Sequence, residues 1–133
     1  MIDPGAPVRH YMTPSPTTVT STTVLSDARD IMARDQIRHL PVVDGTRVVG
    51  IVSARDVLVV EDLRVFASYD TTVGAAMAAD PVSVPSDTAI GHVVKTMARE
   101  DIGCVLIVDE GKLVGIFTDV DAVKLLARAL SGV

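Results

Sequence analysis

Gly50-Ile51-Val52-Ser53-Ala54-Arg55-Asp56 returns, 65 residues later, as Gly115-Ile116-Phe117-Thr118-Asp119-Val120-Asp121. Both stretches are an apolar strand ending in Ser/Thr-x-x-Asp. That is helix-start chemistry: the hydroxyl can accept a backbone amide three residues on, and the acidic side chain can reach back. Sliding the whole chain by 65 residues aligns 8–58 with 73–123 without a gap, and 16 of the 51 pairs are identical. Met12 meets Met77, Pro16 meets Pro81, Met32-Ala33-Arg34 meets Met97-Ala98-Arg99, and Asp44 meets Asp109. A period of that length marks a duplicated structural unit.

Outward from the motif, each copy predicts the same order of elements. An extended stretch around Val19 or Val84 is followed by a helix, with Ser21 or Ser86 near its start. Val24, Leu25, Ala28, Ile31 and Met32, and in the second copy Ala89, Ile90, Val93, Val94 and Met97, lie on one helical face. Two strands come next, His39–Val43 with Val48–Val52, and Cys104–Val108 with Leu113–Phe117. Asp44-Gly45-Thr46 and Asp109-Glu110-Gly111 are their hairpin turns. A closing helix starts near Ala54 and near Asp119. The order is β-α-β-β-α, twice, an α/β (α+β) fold with repeats over 8–65 and 72–130. Residues 59–72 connect them. Glu61-Asp62-Leu63-Arg64 is expected to extend the first closing helix, and Asp70-Thr71-Thr72 to cap a short helix from Val73 to Met77. The first seven residues, with two prolines and a glycine, are expected to be loose.

Repeats of this size are marginal alone, so the two are expected to share one core. Of the 133 residues, 48% are hydrophobic but only 3% aromatic, so that core is aliphatic. The net charge of −5 disfavours general nucleic-acid or anionic-membrane binding, while leaving room for a local basic cluster that grips one phosphate. The single cysteine, Cys104, lies in an apolar run and reads as a buried, inert thiol. No charged-then-apolar leader opens the chain, and no apolar run nears the roughly 18 residues of a membrane span. The expectation is a soluble, cytoplasmic protein.

The duplicated β-α-β-β-α order, the two Gly-apolar-x-Ser/Thr-x-x-Asp motifs, and Ile37-Arg38-His39-Leu40-Pro41-Val42-Val43 resemble a cystathionine-β-synthase (CBS) domain pair, or Bateman module, across nearly the whole chain. The resemblance implies two repeats packed about a pseudo-twofold axis, with two clefts between them. In many members those clefts bind AMP, ADP, ATP or related adenosyl ligands. It also implies a regulatory role without catalysis, no cofactor beyond the regulatory ligand, and pairing of two chains into a homodimer. An enzyme, channel or transporter is the usual regulated element. No attached effector domain is expected, and so a separate effector protein is.

A ribose needs a rigid acceptor for its two hydroxyls, and a carboxylate can take both. Asp56 and Asp121 are the candidates, with Ser53 and Thr118 as helix caps that can also meet ribose or phosphate. Plain helix capping is the competing reading of both pairs. Phosphate needs positive charge, and Arg38, His39 and Arg55 would converge on the first site, where guanidinium can grip phosphate in two places. The alternatives are a neutral strand histidine and two solvated arginines. Thr18, Val19 and Ile51 are candidates to line the adenine, as are Ser83, Val84 and Ile116 in the second site. The second copy departs from the pattern. Gly103-Cys104-Val105 replaces Arg38-His39-Leu40, Leu106 replaces Pro41, Val120 replaces Arg55, and Asp119 adds negative charge. One good nucleotide site is therefore expected, and a second that is weak, empty or suited to a less charged adenosyl ligand.

His10, His39 and His92 lack a metal-ligand spacing, so no metal site is expected. There is no Gly-rich phosphate loop, and a Cys104–His39 nucleophile pair has no oxyanion-hole feature beside it. Two functions compete: a ligand-sensing regulatory module, and a dimerisation or protein-interaction module with vestigial clefts. The Arg38-His39-Arg55 trio favours the sensor, because packing does not need it.

Overall fold

The computed structural model describes residues 2–62 and 71–132. In chain order the elements are β1 (Thr13–Pro14), α1 (Leu25–Asp35), β2 (His39–Asp44), β3 (Arg47–Ser53), α2 (Ala54–Asp62), α3 (Val73–Ala76), β4 (Ala78–Ala79), β5 (Ser83–Val84), α4 (Ile90–Glu100), β6 (Cys104–Asp109), β7 (Lys112–Thr118) and α5 (Asp119–Leu130), with a 3-10 turn over Val8–His10 ahead of β1. This is the duplicated β-α-β-β-α pattern with a two-residue strand, β1 or β4, ahead of each copy, except that the opening strand of the first copy is reduced to a single bridge at Val19.

The chain divides into two compact units: a contiguous one, Thr17–Pro81, and a split one, Met1–Pro16 with Val82–Val133. Unit and repeat are thus offset. The residues leading each repeat in sequence, 8–16 and 73–81, lie against the hairpin of the other copy.

In the contiguous unit β2-β3-β4 form one sheet, and Val19 joins the outer side of β2 by a parallel bridge to Val42. Leu40, Val42 and Val52 point inward and meet Leu25, Ala28 and Met32 of α1, Val57 of α2 and Val73 of α3. Alternation does the sorting: on β3, Gly50 and Val52 are buried while Ile51 and Ser53 lie on the other face. In the split unit the order is β1-β7-β6-β5, and the core is Val8, Ile90, Val93, Met97, Val105, Ile107 and Phe117. The sequence expected one shared aliphatic core. Among the described residues, most buried apolar side chains group in two clusters, one within each unit, while Leu106 and Ile116 are buried outside both.

The turn chemistry repeats as well. Gln36 and Asp101 end their helices in the left-handed conformation, at φ 55° and 54°. Ile37 and Ile102 N–H then bond the Met32 and Met97 carbonyls, a standard helix stop. Gly50 is required by close approach: a Cβ there would sit 2.6 Å from Met77 Sδ and 2.7 Å from the Ala78 carbonyl.

The opening residues are not loose. Ile90 N–H bonds the Ala6 carbonyl at 2.8 Å, Gly91 N–H bonds that of Pro4 at 2.9 Å, and Val8 is fully buried. Prolines that deny this segment a ladder of its own do not prevent it from accepting amides from the start of α4. Helix α2 reaches Asp62 as expected, while Leu63, Arg64 and Asp70 lie outside the described residues. Thr72 is the N-cap of α3, but its side chain makes no cap hydrogen bond.

Candidate functional site

The site in the contiguous unit grows from the β3–α2 junction. Ser53 ends β3, and its N–H donates to Asp56 Oδ2 at 2.8 Å; Asp56 N–H donates to Ser53 Oγ at 3.1 Å. This reciprocal capping box pins the carboxylate at the helix start and leaves Asp56 Oδ1 with no donor among the described residues. His39 lies opposite Ser53 in the β2–β3 register, and the Arg38 carbonyl accepts Ala54 N–H at 2.8 Å. Backbone pairing therefore brings Arg38, His39, Ser53 and Asp56 together. Ile51, half-buried, shares the Ser53 face of β3. Arg38 and Arg55 are exposed, and neither has an ion pair or side-chain hydrogen bond among the described residues. Where Arg29 pairs with Glu61 at 2.6 Å, these two guanidinium groups are uncommitted.

Val19 is placed differently from the others. Its side chain is in the core, its N–H is spent on the Pro41 carbonyl, and its carbonyl accepts Val43 N–H. Thr18, beside it, is exposed on the far side of β2.

The split unit repeats the junction with different surroundings. Thr118 N–H donates to Asp121 Oδ2 at 3.0 Å, Asp121 N–H donates to Thr118 Oγ1 at 3.3 Å, and the Thr118 hydroxyl donates to Oδ2 at 3.2 Å. Thr13, a residue the sequence reading did not single out, adds its own hydroxyl at 3.4 Å from both Asp121 oxygens. β1 supplies it by pairing Thr13 with Ile116. Ile116 itself is buried, Ser83 is exposed on β5, and Val84 is half-buried. Cys104 lies opposite Thr118. Burial, and then the Asp119 carboxylate, push its thiol up to about 12. It is an un-ionised thiol at neutral pH and a poor nucleophile.

Two further facts concern other chemistry. Among the described residues no three His, Cys, Asp or Glu side chains group as a metal site. No helix there is long and apolar enough to cross a membrane.

The model of the CBS domain family matches residues 8–62 and 69–128. The chain belongs to the CBS domain family. Solved CBS-pair structures resemble it closely. A Vibrio cholerae protein provisionally assigned to acetoin utilization (AcuB) is 34% identical, with TM-score 0.84 over 94% of this chain and 93% of that one. CBSX2, a CBS-pair protein of Arabidopsis thaliana, was solved in complex with AMP; it is 26% identical, with TM-score 0.83 over 94% and 98% of the two chains. The CBS domain pair of protein MJ0100, in complex with 5′-methylthioadenosine and S-adenosyl-L-methionine, is 26% identical, with TM-score 0.82 over 91% and 99%. The chain spans 36% and 38% of the length of two curated relatives, from Methanocaldococcus jannaschii and Thermofilum pendens, at 29% and 31% identity over 83% and 78% of this chain.

Proposed function

We propose that this CBS pair is a regulatory module that binds an adenine nucleotide of the AMP, ADP or ATP type, with its stronger site at the β3–α2 junction, and acts on a separate effector protein. The carrying observation is Asp56: a carboxylate held rigid by Ser53, with one oxygen unengaged among the described residues, near Arg38 and Arg55, which have no ion pair among those residues. A ribose diol needs the first and a phosphate the second; the carboxylate also caps α2, but packing does not need the two arginines. The AMP, methylthioadenosine and S-adenosylmethionine complexes of the relatives support an adenosyl ligand. The free thiol suits a reducing cytoplasm. Regulation follows if the ligand binds one arrangement of the protein more tightly than another.

A second reading is a pure interaction module. Helix α5 favours it, exposing Val120, Val123, Leu126 and Leu130 (50%, 64%, 56% and 79% accessible) on one side. A homodimer built on that stripe is compatible with both readings.

Calorimetric titration with AMP, ADP, ATP, NAD and S-adenosylmethionine tests the sensor, on wild type and on an Asp56→Ala, Arg38→Ala variant. Saturable adenylate binding, lost in a folded variant, is the expected result. No heat and no thermal stabilisation from any of the five would leave the interaction module as the better account.

A further inference from the structure

The two junction carboxylates differ in what already occupies them. Asp56 accepts one capping amide, on Oδ2. Asp121 Oδ2 accepts the Thr118 amide and the Thr118 hydroxyl, and the Thr13 hydroxyl lies against both of its oxygens. The residue equivalent to Thr13 is Ala78. β1 pairs Thr13 with Ile116 and β4 pairs Ala78 with Ile51, the same register 65 residues apart, but alanine has no hydroxyl to offer.

We propose that Thr13 is a built-in competitor for the Asp121 carboxylate, and that positions 13 and 78 rank the affinities of the two sites for a ribose diol. The inference rests on the nucleotide reading above and deepens it. A diol reaching Asp121 must displace the Thr13 hydroxyl, whereas a diol reaching Asp56 meets an open oxygen. At 3.4 Å the Thr13 bond is long, so its displacement falls at the low end of hydrogen-bond values and corresponds to about a threefold loss of affinity. The effect is independent of Arg38 and Arg55, because it concerns the sugar and not the phosphate. Thr13 acts through Asp121 and is a positioning residue.

Adenosine, which has the diol and no phosphate, is the probe. In an Asp56→Ala background, which isolates the split-unit site, Thr13→Val should strengthen adenosine binding about threefold while Thr13→Ser leaves it unchanged. In an Asp121→Ala background, Ala78→Thr should weaken binding about threefold. Thermal melts check that each variant is folded, and the paired serine and valine variants separate the hydroxyl from side-chain bulk. Unchanged affinities, or weaker binding in Thr13→Val, would overturn the competitor role while leaving the nucleotide reading intact. If neither adenosine nor AMP binds wild type, both fall together.

Discussion

In the contiguous unit Arg38, brought to the junction by backbone pairing, and Arg55, next in sequence, accompany the carboxylate; in the split unit Gly103 and Val120 stand at those places, and Asp119 replaces Ala54. The backbones beneath are matched in detail. Left-handed residues recur at 15 and 80, 36 and 101, and 45 and 110. Both closing helices begin with a reciprocal hydroxyl–carboxylate cap. The frame is set by turns, caps and apolar alternation, none of which involves the side chains that differ. One scaffold can therefore carry an electropositive site and an electronegative one at no cost to folding.

The sharpest way to break the comparison is to remove the two carboxylates in turn. Asp56→Ala deletes two charge-assisted acceptor positions for the diol and should weaken AMP binding about a hundredfold or more by calorimetry. Asp121→Ala should leave that stronger binding event in place. Comparable losses from both would show that the sites are equal and the charge difference idle.

Gly50→Ala tests the shared frame. Its Cβ would collide with the Ala78 carbonyl, which belongs to backbone and yields poorly, so denaturant unfolding should show a loss of about 2 kcal/mol. A neutral result would mean that β4 is not held against β3.

Arg38→Ala should lower AMP affinity about tenfold and leave adenosine affinity unchanged, because only the phosphate contact is removed. The converse, Gly103→Arg with Val120→Arg and Asp119→Ala, should raise AMP affinity in the split unit. Equal effects on AMP and adenosine would move Arg38 out of the phosphate role.

The smallest effect concerns Cys104, whose counterpart is His39. The folded thiol ionises near 12 and the unfolded one near 9.0, so neither is charged at neutral pH and the group is then silent. As pH rises above the lower value only the unfolded chain ionises, and stability falls. At pH 10 the loss is about 1 kcal/mol. Thermal melts of wild type and Cys104→Ala at pH 8 and 10 should differ in slope by that amount, and equal slopes would place the thiol in water.

Much of this was legible from the sequence because it is periodic or duplicated. The Gly-x-x-Ser/Thr-x-x-Asp motif fixed both junctions to the residue, and Asp-Gly and Glu-Gly marked both hairpins. The strands β1 and β4 were not legible, since two residues have no period to detect, and they exist only because Ile116 and Ile51 offer a free edge. Thr13 was invisible for the same reason: it lies 108 residues from Asp121, and its aligned partner is an alanine. Val19 showed the converse limit. Its apolar character made it a candidate wall for adenine, but its bridge to β2 and its place in the core had no sequence signal of their own.

The offset between repeat and unit has a consequence for how the chain comes to be made. Thr17–Pro81 is continuous, so everything needed to complete its sheet and core has been synthesised once Pro81 leaves the ribosome. The split unit takes Val8 and Thr13 from before the contiguous unit and β7 and α5 from after it. Its opening segment must wait first for the start of α4, whose amides its carbonyls accept, and then for β7, which pairs with β1. Translation therefore imposes an order on two otherwise matched halves, and the half finished last is the one that lacks the arginines.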